Sequence, residues 1–139
     1  MQSNPGSSFH VLIVERDELF REVFRLLLSS QGYTFDITGS PCEALEMAKR
    51  NVPDVIFSSL VFSEMSGFEL CRRLREIPEI ARKLIVALSG YGAKGIREEA
   101  VSAGFDEFIA KPADIKVLLA LLNAERFKRD VANLTQNRQ

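Results

Sequence analysis

The sequence is short of the residues that build metal and redox sites. It has two cysteines and one histidine among 139 residues. Cys42 and Cys71 lack CxxC spacing and have no histidine nearby, which argues against both a zinc site and a disulfide framework. Free thiols in a reducing cytoplasm are the simpler expectation. An excess of one charge is also missing. The formal net charge is −1, so no overall field draws the chain to nucleic acid or to an anionic membrane. No apolar run approaches the roughly 20 residues of a membrane span. Residues 1–8 are polar and include Pro5 and Gly6, so 1–9 reads as a flexible lead-in rather than a signal peptide or anchor. Internal repeats and low-complexity stretches are absent.

What is present is the balance of a soluble globular domain, with 46% hydrophobic and 27% charged residues. The length suits one domain and is short for two. A chain of this size buries roughly two-thirds of its unfolded surface and needs no covalent staple.

Short continuous apolar runs at 10–14, 55–60 and 84–88 predict strands covered on both faces. Tyr33, Phe35 and Ile37 alternate, and 105–110 adds a fifth strand closed by Lys111-Pro112. Helices are predicted between them. Asp17 caps a helix to about residue 31, with Phe20, Val23, Phe24 and Leu27 inward and Gly32 after its end. Ser40-Pro41-Cys42-Glu43 and Ser66…Glu69 have capping-box spacing. The second of these opens a helix with Phe68, Cys71 and Leu74 on one side. A weaker helix runs from about 94 to 103, before Gly104. Asp114 caps the last, with Ile115, Leu118, Leu119 and Leu122 facing the core.

Five such β–α units imply a parallel sheet with helices on both faces, because crossovers are right-handed. Functional groups in such sheets gather beyond the carboxyl ends of the strands. That rule selects Glu15, Arg16, Asp17, Ser59, Ser89 and Lys111.

The stretches VLIVERDELFR (11–21), PDVIFSSLVFSEMSGFELCRRLR (53–75), ALSGYG (87–92) and GFDEFIAKPAD (104–114) occur in an order and spacing that resemble the response-regulator receiver (CheY-like) family. The resemblance covers roughly 10–125. It implies a flavodoxin-like doubly wound five-stranded sheet of order 2-1-3-4-5, and a cis Lys111-Pro112 bond. It also implies a role in two-component (phosphorelay) signalling.

Typical members carry an acidic pair after the first strand, an aspartate after the third, a hydroxyl after the fourth and a lysine after the fifth. The aspartate attacks a phosphoryl donor, Mg²⁺ held by carboxylates offsets the charge, and hydroxyl and lysine bind phosphoryl oxygens. Ser89 and Lys111 match that set, and Glu15 matches in charge. Phe108 falls at the aromatic position that changes rotamer in the family. Arg16 replaces the second acid and Ser59 the nucleophile.

If all these side chains point inward, a net negative pocket becomes net positive. Each unit charge at contact is worth about 1–4 kcal/mol near a surface, so Mg²⁺ binding should suffer badly. Serine is a weak nucleophile without a neighbouring base, and His10 lies at the opposite end of the first strand. The expectation is a degenerate pseudo-receiver without catalytic residues, metal or cofactor, in which Ser59 marks the lost phosphoacceptor position. It would act by protein contacts with an output domain or a histidine-kinase pathway component. Two readings of the pocket stay open: a Glu15–Lys111 ion pair, or an anion site made by Lys111, Ser89 and Arg16. Ser58 or Ser59 could also be modified by a serine kinase. The alternative function is a phosphoryl-accepting receiver using an unconventional carboxylate, with Asp17 favoured over Glu15 and Glu64.

The glycine-rich stretch 89–95 lacks phosphate-loop spacing. Arg72, Arg73 and Arg75 read as a solvated face beside Glu69, Glu76 and Glu79. Val117, Ala120, Ala124, Phe127, Val131 and Leu134 repeat at heptad spacing. Residues 126–139 are therefore read as a helical extension or linker, with a homodimer as one use for the stripe. Packing on its own domain gives similar spacing.

Overall fold

The computed structural model describes residues 9–90 and 95–137. Strands β1 (His10–Val14), β2 (Thr34–Thr38), β3 (Val55–Ser59), β4 (Leu84–Ser89) and β5 (Glu107–Ala110) alternate with helices α1 (Glu18–Ser30), α2 (Pro41–Arg50), α3 (Gly67–Arg75), α4 (Ile96–Ala103) and α5 (Ile115–Asn137). A short 3-10 turn, Pro78–Ile80, opened by a proline and not among the predicted elements, precedes β4. All pairings are parallel and the order is β2-β1-β3-β4-β5, as the resemblance implied.

The apolar runs of the central strands divide between two cores, because alternate side chains leave opposite faces of a strand. Leu12, Val14, Ile56, Ile85 and Ala87 pack against α2, α3 and α4. Val11, Ile13, Val55, Phe57, Val86 and Leu88 pack against Phe24 and Leu28 of α1 and Leu118 and Leu122 of α5. Phe9 is buried against Tyr33, with ring centroids 5.7 Å apart, so the predicted lead-in yields its last residue to the core.

Caps hold where residues predicted them. Asp17 Oδ1 accepts from the Leu19 and Phe20 amides at 2.9 and 3.5 Å. Ser40 and Ser66 each accept the amide three residues on at 3.1 Å. The return arm of each capping box is absent: Glu43 takes the Thr38 hydroxyl, and Glu69 takes Arg72 and Arg73.

Two inward assignments are corrected. Val23 and Ile115 are exposed rather than core. They line a groove of about 500 Å³ between the start of α1 and the loop into α5, shared with Leu19 and Phe20. Leu119 is only half-buried, while Leu121 packs on the core. The weak helix begins at Ile96, not 94; residues 91–94 of the glycine-rich loop lie outside the described residues. No helix among the described residues is long and apolar enough to cross a membrane.

Candidate functional site

Strand register brings the selected residues to one edge. Val14 pairs with Ser58, Ser59 with Leu88, and Ser89 with Ala110, so Glu15, Ser59, Ser89 and Lys111 meet at the carboxyl ends of four neighbouring strands. Together with Arg16 and Asp17 they line a cleft of about 300 Å³.

Glu15 is 1% exposed and anchored from several sides. Its amide donates to the Thr38 carbonyl at 2.9 Å, and its Oε2 accepts the Asp17 amide at 2.8 Å. Lys111 Nζ stands 2.7 Å from Oε1. Oε1 has no hydrogen-bond partner, so the pair is held by the attraction of opposite charges. The same ammonium lies 4.8 Å from the centre of the Phe20 ring, whose electron-rich face favours a cation. Lys111 is placed by its own amide, which donates to the Ser89 carbonyl at 2.6 Å.

Ser59 closes β3 with its hydroxyl buried and without a hydrogen-bond partner. The neighbouring Ser58 turns back and donates to the Ser59 carbonyl at 2.8 Å. Behind this strand end stands Gly67. A Cβ there would lie 2.3 Å from the Ser59 carbonyl oxygen, so glycine is what lets α3 begin against β3. Its amide donates to the Leu60 carbonyl at 2.9 Å.

Arg16 lines the cleft with an exposed side chain and forms no ion pair with the described residues. Asp17 also lines the cleft, but its Oδ1 serves the cap of α1. Glu64 does not line it. Glu64 accepts from Ser40 Oγ at 2.8 Å and the Cys42 amide at 3.3 Å, and the Ser40 bond holds its carboxyl below the usual range.

Phe108 is half-buried on the α3–α4 side, and the Arg97 guanidinium lies 4.9 Å from its ring centre. The Lys111-Pro112 bond is cis. His10 sits at the far end of β1, bonded to Thr34 Oγ1 at 3.0 Å and Asp36 Oδ2 at 2.9 Å. Among the described residues no three of His, Cys, Asp and Glu cluster as metal ligands.

Sequence reasoning missed two supports of this site. Arg21 Nη1 donates to the carbonyls of Glu15 and Arg16 at 2.7 and 3.0 Å, which fixes the turn after β1; nothing in its spacing marks it. Gly67 carried a signal, a glycine directly after a helix cap.

The chain matches the response regulator receiver domain family over residues 11–123. It is 32% identical over 105 residues to the polar-differentiation response regulator DivK of Brucella ovis, covering 76% of this chain and 85% of that one. Its fold resembles the receiver domain of a signal transduction histidine kinase from Syntrophus aciditrophicus, with TM-score 0.77, 26% identity and coverage of 85% and 89%. It likewise resembles the receiver domain of sensor histidine kinase PA1611 from Pseudomonas aeruginosa, solved with a magnesium ion in its active-site cleft, with TM-score 0.77, 25% identity and coverage of 85% and 97%. With its strand order, strand-end cleft and these relatives, the chain belongs to the response regulator receiver domain family.

Proposed function

We propose that this receiver domain signals through protein contacts without aspartyl phosphorylation, and that its strand-end cleft is a degenerate phosphoacceptor pocket. Receiver domains work with protein partners in phosphorelay pathways and are generally signalling modules rather than enzymes. The observation that carries the proposal is Ser59. It stands at the end of β3 with a buried hydroxyl that has no hydrogen-bond partner, so no base is bonded to it. An unactivated hydroxyl at that position is a poor phosphoryl acceptor.

The charges support the same reading. The PA1611 receiver holds magnesium in its cleft. Here the donor set does not fit that ion. Magnesium takes near-octahedral oxygen ligation. Glu15 is the one buried carboxylate among the described residues of the cleft, its Oε2 accepting the Asp17 amide and its Oε1 lying 2.7 Å from the Lys111 ammonium. Of the two pocket readings, the Glu15–Lys111 pair is the one these distances favour. The alternative acceptor, Asp17, is committed to capping α1, which sets an Asp17 acyl-phosphate against the helix start. In this proposal the receiver unit is 10–125, the remainder of α5 is an extension, and the protein acts in the cytoplasm.

Intact-mass spectrometry after incubation with acetyl phosphate and Mg²⁺ tests the proposal, with Ser59→Asp run in parallel. The expected result is no phosphoryl adduct on the parent chain. A stoichiometric adduct on the parent would sink the proposal, and mapping it to Asp17 would establish the alternative.

A further inference from the structure

Helix α5 carries a second, unused face. Its body side is held along most of its length. Leu118 and Leu122 are buried. Tyr33 donates its hydroxyl to Asn123 Oδ1 at 2.6 Å, and Arg126 lies 5.2 Å from the Tyr33 ring centre. Arg129 Nη1 pairs with Asp54 Oδ2 at 3.0 Å, one turn and more beyond the last core leucine. The part of the helix read as an extension is therefore docked on its own domain at least to Arg129.

At roughly 100° per residue, Val117, Ala120, Ala124, Phe127, Val131 and Leu134 lie roughly opposite Leu118 and Leu122. The structure leaves them bare: Val117 is 47% exposed, Phe127 69%, Val131 43% and Leu134 65%. Single exposed apolar residues are ordinary, but six at alternating spacings of three and four form a continuous seam.

We infer that this seam pairs with the same seam of a second copy, antiparallel, in a two-fold dimer. Size complementarity selects both the occupant and the direction. An antiparallel seam places each a-type residue against a d-type residue of the other helix. Centred between Glu125 and Arg126, that register matches Val117 with Leu134 of the second copy, Ala120 with Val131, and Ala124 with Phe127. Each alanine then faces a larger side chain, and the two-fold axis repeats all three pairs. In the parallel direction alanine meets alanine in two layers and Phe127 meets Phe127, which leaves gaps beside a crowded layer. The flanks allow the antiparallel choice too: Asn123 comes beside Asp130 and Lys128 beside Leu121, with no like charges opposed. The two domain bodies lie on the outer sides of the helix pair. This inference stands apart from the proposal on phosphorylation, since no seam residue lines the cleft.

The test uses the full chain with exposed Cys42 replaced by serine. Sedimentation velocity from about 5 to 500 μM should show a monomer–dimer equilibrium, and Phe127→Glu should weaken it at least tenfold while circular dichroism stays unchanged. Ala120→Cys mixed with Val131→Cys should give a disulfide-linked dimer under mild oxidation, and neither variant should do so alone. Monomers across the whole concentration range would overturn the inference. Self-cross-linking of Ala120→Cys alone would overturn the antiparallel pairing.

Discussion

The Ser59 hydroxyl carries a cost that its neighbours do not. A buried hydroxyl without a partner forfeits hydration and regains nothing, a penalty of about 1–3 kcal/mol. Ser59→Ala should therefore leave stability unchanged or raise it by about 1 kcal/mol in urea denaturation, whereas buried serines that are bonded lose stability on the same change. A clear loss would show that the hydroxyl has work to do in solution. The place of this residue was legible because the apolar run 55–60 puts position 59 at the carboxyl end of a strand, where such sheets gather functional groups. Its isolation was not legible, since that depends on where Ser58 and Gly67 turn. The Glu15–Lys111 contact was one of two arrangements that the residue types allowed. The distance between them needed the coordinates, as did the exposed course of Arg16.

Between elements, Arg75 ties together segments far apart in the chain. It donates to the carbonyls of Lys83 at 2.6 Å and Gly104 at 2.7 Å, and pairs with Asp106 Oδ2 at 2.7 Å. Asp106 in turn accepts the Ile85 amide at 2.9 Å. One guanidinium thus serves the loop before β4 and the turn between α4 and β5. The sequence reading placed Arg75 on a solvated face with Arg72 and Arg73, and for Arg75 that is corrected. All three follow Glu69 on one helix, and nothing local tells which will meet the chain when it returns thirty residues later. Arg75→Ala should cost about 2–4 kcal/mol and Arg75→Lys most of that, because a lysine lacks the planar fork. Arg72→Ala and Arg73→Ala should each stay within about 0.5 kcal/mol, since their pairs with Glu69 are exposed. Urea midpoints for the four variants check this. Strands and caps were read more securely, because a buried run and a capping serine are local facts. The groove that claimed Val23 and Ile115 is a contact between α1 and the entry to α5, which no periodicity within either helix encodes.

At the scale of the whole molecule, topology followed from the succession of β–α units, while the strand order came with the family resemblance. Binding to the native state alone shifts thermal stability, so the proposed loss of magnesium binding has a global readout. About 10 mM Mg²⁺ should leave the melting temperature of the parent chain unchanged, and should raise that of a chain carrying Arg16→Asp and Ser59→Asp together, by mass action on the folded state. A rise in the parent would count against the proposed donor geometry.

A parallel sheet with a helix after every strand has one more consequence at the cleft. Every helix begins at the carboxyl edge of the sheet, so the positive ends of their backbone dipoles collect around a single rim. Carboxylates would ordinarily offset that field. Here the charge of Glu15 is balanced by Lys111, Asp17 answers only its own helix, and Arg16 adds a cation at the mouth. The main chain thus adds a positive field to the rim, which carboxylates at the strand ends must outweigh before a metal ion can bind.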